Sequence, residues 1–343
     1  MDCSQLKKTL TRILDLQTEF TTVYFRVDES LGRQDPENMQ AILSSISLME
    51  EIRLAIIELK SLLQVSLKQA ENIMNREGQH NFMGPEQVKI AFGIELKPEQ
   101  IPQIPFSKEE LERARELGQF LVLRVSQVPY RNDPSKVEPL TMKKLDEILS
   151  PKFQKQNKGK VLSDIDRYKN EDSYTKETPQ AGWALVSKDV IPHSYHESGV
   201  KEYKDYIIQT EKLIKYLENK VFQNQDIPEI YEQAIKEFNQ IRQQEKLDEL
   251  ITQNRQEAAQ ILENLQITQL VRQSPVEILY DLMINFQNTG QRLLKKKYTW
   301  SRRRSSDGWL FSVGFFGTRG VMVSIWRPFN SDKFLGVCFS RRV

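Results

Sequence analysis

The sequence predicts an α+β chain that opens with long helices and ends in an antiparallel β meander. Three observations carry this. Apolar residues recur at 3–4 spacing from Leu6 to Leu63, and they alternate with period two after Leu294. The charge also changes at Trp300. From there on, seven arginines and Lys333 stand against Asp307 and Asp332, a surplus of 8 − 2 = +6, whereas the whole chain carries only +2. The C-terminal segment is therefore built under different rules from the rest.

The bulk properties bound the class. At 343 residues and 39% hydrophobic the chain is long and apolar enough for two or three folded domains, and too apolar for a disordered one. Its apolar runs, such as Phe120 to Leu123, fall far short of the roughly 20 residues a membrane helix needs, so no membrane association is expected. The start, Met1-Asp2-Cys3-Ser4, lacks the basic and apolar pattern of a secretory signal, and a cytoplasmic location is the expectation. Cys3 and Cys338 lie at opposite ends, which offers neither a disulfide framework nor a zinc site.

In the first section, Leu6, Leu10, Ile13, Phe20, Tyr24 and Val27 form one helical stripe. Gly32 and Asp35-Pro36 interrupt it, with Asp35 as N-cap and Pro36 in the first turn, where its missing N–H costs nothing. Met39, Ile42, Ile46, Met49, Ile56, Leu59 and Leu63 continue the pattern, and the second helix is expected to reach about Arg76. Neither helix can bury its stripe alone, so residues 1–78 are expected to pair as a hairpin or to self-associate into a homo-oligomer, with a dedicated partner-binding helix as the alternative. Residues 79–106, punctuated by glycines and prolines, read as a linker holding one short helix from Pro85 to Phe92.

A domain spanning 107–343 then opens on the capping box Ser107-Lys-Glu-Glu110. Its first helix stops at Gly118; a strand over Phe120 to Val128 and a helix over Thr141 to Leu149 follow. Residues 151–179 read as polar loop and Gly182 to Val186 as a second strand. Residues 202–265 are charged and helical, with a break at Asp226-Ile227-Pro228. Ser274-Pro-Val-Glu277 is another capping box, starting a helix that ends near Gly290. Phe311, Val313 and Phe315, then Val321, Val323 and Ile325, then Leu335, Val337 and Phe339 mark the strands of the meander.

A search for chemistry finds little. His193-Ser-Tyr-His196-Glu197 is the one cluster resembling metal ligands, and it stands in a loop context rather than on the helix that zinc motifs require. No phosphate-binding glycine loop or nucleophile elbow occurs. No metal, no cofactor and no enzymatic activity are expected. The positive signal is the mixture of Arg302, Arg303, Arg304, Arg319, Arg327 and Lys333 with Trp309, Phe311, Phe315, Phe316, Trp326 and Phe329. Aromatic and arginine side chains dominate binding energy at interfaces. Because adjacent Phe315 and Phe316 must point to opposite faces of a strand, some of these groups are expected at the surface.

Tyr298-Thr-Trp300-Ser301, the meander, and the closing Leu335-Gly-Val-Cys-Phe-Ser-Arg341 resemble the end of C-type-lectin-fold domains of the formylglycine-generating-enzyme-like branch. Within it the chain is similar to variable proteins diversified by retroelements that encode a reverse transcriptase, in a bacterial group of unassigned function. In that group the stretch around Pro105 to Val125, Leu140-Thr-Met-Lys-Lys144, Gly182-Trp-Ala-Leu-Val186 and Tyr298 to Arg341 recur, so the resemblance covers roughly residues 105–343.

The resemblance implies a C-type-lectin-like domain in which the strand from Phe120 lies beside Leu335 to Val343, and in which 202–265 is a helical insertion. It implies a framework of Trp300, Gly314, Gly320, Gly336, Phe339 and Arg341. Between these, Arg303, Arg304, Trp309, Phe311, Phe315, Thr318, Arg319, Met322, Ser324, Ile325, Arg327, Phe329, Asn330 and Lys333 would form a diversified ligand-binding face. Neither the calcium signature of sugar-binding lectins nor the catalytic cysteine pair of the branch is present in the domain. A protein is the expected ligand. Nucleic acid is the alternative, with arginines on phosphates and aromatics stacked on bases.

Overall fold

The computed structural model describes residues 3–30, 36–63, 65–130, 133–192, 194, 205–243 and 253–342. They belong to two units, one of Met1–Ser66 with Gln103–Ser107 and one of Leu67–Pro102 with Lys108–Val343. The chain is α+β, with helices first and antiparallel strands last.

The first unit contains helices α1 (Cys3–Ser30) and α2 (Pro36–Leu63), each of 28 residues, and the two pack together. At 1.5 Å per residue each is about 42 Å long. Leu16, Leu48 and Ala55 are the buried centre, flanked by Ile13, Phe20 and Ile52. The expected run of α2 to Arg76 is corrected: it ends at Leu63, and a separate helix α3 (Leu67–Met74) belongs to the second unit. Gly32 and the Asp35 cap lie outside the described residues.

The supposed linker is corrected as well. Residues 67–102 are part of the second unit, because Phe82, Met83, Val88, Ala91, Phe92 and Ile94 are apolar enough to be buried in it. Strand β1 (Phe82–Met83) and helix α4 (Pro85–Phe92) occupy this stretch. Helix α5 (Lys108–Glu116) leads through Gly118, which adopts φ 69°, into β2 (Gln119–Arg124). The expected strand to Val128 divides there: β3 (Gln127–Tyr130) instead pairs with β4 (Asp133–Pro139) as a hairpin the sequence did not signal. The Thr141 hydroxyl accepts from Lys144 N at 3.1 Å and starts α6 (Met142–Lys155). A short helix α7 (Asp172–Thr175) and strand β5 (Gly182–Ser187) follow.

The first sheet has the order β1-β2-β5-β10, where β10 is Ser340–Arg341. The expected pairing of β2 with the C-terminal strand is therefore corrected. β5 stands between them, antiparallel to both, with Phe120 opposite Val186 and Ser340 opposite the same Val186. All six residues of β2 are buried, so both of its faces are covered rather than one.

The described residues between Tyr206 and Val271 include α8 (Tyr206–Tyr216), a π-helical turn (Leu217–Val221), α9 (Glu229–Gln243), α10 (Arg255–Asn264) and α11 (Gln266–Val271). They are not an appendage. Tyr206, Leu213, Phe238 and Leu262 share one buried cluster with Trp300, Leu310, Leu335 and Phe339. Helix α12 (Pro275–Thr289) begins at the capping box, in which Ser274 N donates to Glu277 Oε2 at 2.8 Å and Glu277 N to Ser274 Oγ at 3.4 Å. Every residue from Pro275 to Phe286 is buried, so this helix is enclosed on all sides. Tyr280 donates to Leu123 O at 2.9 Å, and Phe286 packs on both Phe153 and Phe316.

The second sheet holds the meander β6 (Tyr298–Arg304), β7 (Leu310–Gly317) and β8 (Gly320–Trp326), with β9 (Leu335–Gly336) parallel to β6, in the order β8-β7-β6-β9. Tyr298, Gly314 and Met322 lie in one row across it. Residues 160–163 run along the start of β8. Lys160 N donates to Thr318 O, and Val321 exchanges hydrogen bonds with Val161 and Ser163. That approach needs glycine at 320, where φ is 100° and a Cβ would stand 2.7 Å from the carbonyl carbon of Leu162. From Met322 onward β8 has no second strand neighbour among the described residues.

Candidate binding face

The C-terminal strands leave most of the predicted residues at the surface in separate groups and bury Phe311. Phe311 is a correction. It alternates with Leu310 and Ser312 in the central strand of its sheet and is fully buried, so it fills the core and cannot contact a ligand. Phe315 is only half-buried, and it avoids simple alternation. A bulge between Gly314 and Gly317 gives it φ 48°, a conformation that costs about 1–3 kcal/mol for a non-glycine residue. Its N–H is nevertheless bonded to Lys297 O at 2.9 Å, and its ring packs on Tyr298 at 4.6 Å and Phe334 at 5.3 Å. The same bulge sends Phe316 into the core against Phe286.

Beyond the end of β8, Arg327 lies 4.9 Å from the Trp309 ring and 6.0 Å from that of Phe329. Such placements let a guanidinium interact with the ring faces while staying hydrated. Phe329 is 42% and Phe334 37% exposed, and the Lys333 ammonium sits 4.9 Å from the Phe334 ring. Asn330 N bonds to Arg327 O, and Tyr206 N bonds to Pro328 O, which ties the loop to α8. Thr318 and Arg319 are exposed at the β7–β8 turn. Met322, Ser324 and Ile325 are half-buried along the free edge, and Met322 Sδ accepts from the Tyr298 hydroxyl at 3.3 Å. Tyr298 and Phe334 were missed by sequence reasoning. Phe334, beside Lys333 and ahead of the last alternating run, carried the same cation-plus-aromatic signature.

Arg303 and Arg304 stand apart, at the far end of β6. Arg303 Nε meets Glu177 Oε1 at 2.6 Å, and both arginines reach Glu263, Arg304 Nε at 3.0 Å. Together with Asp172, Ser173 and Lys176 these groups line a cleft of about 330 Å³. Behind it lies a network that no motif announced. Glu277 and Asp281, four residues apart on one face of α12, meet Arg124 of β2. Arg302 and Arg342 approach the same Glu277 carboxylate at 3.2 and 3.0 Å, while Arg124 and Gln273 both donate to Asp281. Burial alone would raise the Glu277 carboxyl, but the guanidiniums of Arg124, Arg302 and Arg342 outweigh it and hold it at about 2. For Asp281 burial wins over Arg124, and the carboxyl rises to about 6. Burial lowers Arg302 and takes Arg342 down to about 10.

The framework positions behave alike. Trp300 and Phe339 are buried, Gly336 leaves room for Val190, and Arg341 pairs with Glu110. Cys338 is fully buried, which pushes its thiol up to about 12. His193, His196 and Glu197 lie outside the described residues; among those described, no group of histidine, cysteine or carboxylate side chains is arranged to hold a metal ion. Among them too, no helix is long and apolar enough to cross a membrane. Comparison with protein families, with curated proteins and with solved structures returns no match.

Proposed function

We propose that this protein is a non-enzymatic binding protein whose C-terminal strands display a face for a protein ligand. The observations that carry the reading are two clusters of aromatic and cationic side chains on the C-terminal sheet: Arg327 against Trp309 and Phe329 where β8 ends, and the half-exposed Phe315 with Phe334 and Lys333 where the chain enters β9. Aromatic anchors with arginine, next to a strand edge able to accept hydrogen bonds, suit a protein partner. The resemblance to variable proteins of reverse-transcriptase-encoding retroelements supports the same view, on a C-type-lectin-like scaffold. The titratable groups that depart most from their ordinary range among the carboxyls, Glu277 and Asp281, are enclosed and occupied by guanidiniums, which suits support of a fold better than catalysis.

Nucleic-acid binding is the less favoured alternative. Of the tail's seven arginines, Arg302, Arg303, Arg304, Arg341 and Arg342 are ion-paired to carboxylates from earlier segments, so little of the +6 surplus is left to meet phosphates. In the first unit, Leu14, Ile42, Leu43, Ile46, Met49 and Leu54 are all exposed. Ile42, Ile46 and Met49 repeat at helical spacing on α2, which supports an assembly role for the hairpin.

Sequencing of the genomic locus tests the main reading. A reverse-transcriptase gene with a near-copy of the segment encoding Trp300 to Val343, differing mainly at adenines and sparing the Phe311 codon, is the expected result. Absence of both gene and copy would overturn the variable-protein reading. Fluorescence anisotropy with labelled oligonucleotides separates the alternative: saturable binding that weakens by orders of magnitude between 50 and 200 mM salt, as multiple phosphate contacts require, would favour it.

A further inference from the structure

A second cleft, sharing no residue with the C-terminal face, lies where α8 passes into the π-helical turn Leu217–Val221. It encloses about 560 Å³ and is lined by Glu116, Leu117, Pro192, Lys212, Lys215, Tyr216, Asn219 and Lys220. That volume falls within the range of small-molecule sites. Its floor is apolar and fixed. The Tyr216 ring rests on Phe339 at 5.5 Å, and its hydroxyl accepts from the buried Gln119 amide at 3.4 Å, while Leu117 packs against the same core. Its rim is cationic. Lys212, Lys215 and Lys220 have no carboxylate within ion-pair distance among the described residues, and the one acidic lining residue, Glu116, is engaged by Arg113 at 3.5 Å.

The local backbone explains the convergence. Lys212, Lys215, Tyr216, Asn219 and Lys220 follow one another at 3–4 spacing, which places them along one side of the helix. The π turn at Leu217–Val221, a feature that recurs at functional sites, carries Asn219 and Lys220 at the same opening. Three like charges gathered with no counter-ion among the described residues repel one another, and an anion relieves that repulsion. An apolar floor beneath them favours an anion carrying an aromatic or aliphatic body over an inorganic one.

We propose that this cleft binds an amphipathic organic anion, a carboxylate or phosphate head held by Lys212, Lys215 and Lys220 over an apolar body seated on Leu117, Pro192 and Tyr216.

Isothermal titration calorimetry of the full chain with 1-naphthyl phosphate, 1-naphthoate and neutral 1-naphthol tests this. The expected result is saturable binding of an anion at one site per chain, with naphthol at least about tenfold weaker than the better anion. The order of the two anions identifies the head group. Lys215 and Lys220 are exposed, so the K215Q/K220Q variant keeps its fold. It should bind the anion about tenfold more weakly while its affinity for naphthol stays unchanged. The K295Q/K296Q variant, which removes two exposed lysines elsewhere, should bind as the wild type does. Three results would overturn the proposal: no saturable binding of either anion, naphthol binding as tightly as the anions, or an equal loss in both double variants.

Discussion

Replacing Glu277 by glutamine should destabilise the second unit severely. The side chain is fully buried, and its carboxylate has Arg124, Arg302 and Arg342 at 3.7, 3.2 and 3.0 Å. Glutamine preserves shape and can still accept from Ser274 N, so the cap survives and the perturbation is the charge itself. Arg124 and Arg342 would then be left with Asp281, and Arg302 with Glu177. Removing one partner of a buried charged group costs about 3–5 kcal/mol. The depression of the Glu277 carboxyl corresponds to a figure in the same range. The carboxyl drops from its ordinary 4.5 to about 2 in the fold, which at about 1.4 kcal/mol per unit corresponds to about 3 kcal/mol. A depressed carboxyl contributes its stability fully above pH 4.5 and loses it as pH falls through 2. The gap between wild type and E277Q should therefore be full at pH 7 and shrink between about pH 4.5 and 2. Urea unfolding followed by tryptophan fluorescence measures it, because Trp183, Trp300, Trp309 and Trp326 all lie in the second unit. A gap below about 1 kcal/mol at pH 7, or one that does not narrow in acid, would refute the reasoning.

Three further outcomes are expected. Phe311→Ala should cost about 3–5 kcal/mol in the same unfolding assay because it empties a fully buried site, whereas Arg319→Ala at the exposed turn should stay within about 0.5 kcal/mol. Gly320→Ala should destabilise by more than about 1 kcal/mol, since the added methyl combines positive φ with a clash against Leu162; hydrogen exchange at Val321 N should accelerate with it. In a Cys3→Ser background, Cys338 should react with Ellman's reagent at pH 8 only after unfolding, because burial both hides the thiol and keeps it protonated; rapid reaction of the native protein would contradict its position.

Much of the local structure was legible from short-range patterns. The existence of α1 and α2, the helix between Pro85 and Gly93, the Ser274–Glu277 capping box and the alternating strands after Tyr298 follow from periodicity and termini within a few residues; the stripe expected on α2 does not, because Ile42, Ile46 and Met49 are exposed while Leu48, Ile52 and Ala55 pack. The candidate face was legible only in part. Arginine and aromatic content pointed to the right segment, but composition does not say which side chains a sheet turns inward. Phe311 went to the core because it sits mid-strand with neighbours on both sides. Phe315 stayed half-exposed only because a bulge at Gly314–Gly317 broke the alternation. Glycine inside a strand is a local sign of a bulge, and Gly314 and Gly317 flank this one, but alternation alone does not show it.

What the sequence determined by itself, then, is most of the longer helices, the alternating C-terminal strands and the change of composition at Trp300; the β3–β4 hairpin and the short elements were not among them. Tertiary structure alone decided the strand order, with β5 inserted between β2 and β10. It also decided which charges remain free. Arg303 finds Glu177 across 126 residues and Arg124 finds Asp281 across 157, so a tail that reads as strongly basic is largely neutralised where it folds. The physical reason is one of range. Backbone conformation responds to neighbours a turn away, whereas the pairing of buried charges depends on which distant segments the shared core brings together.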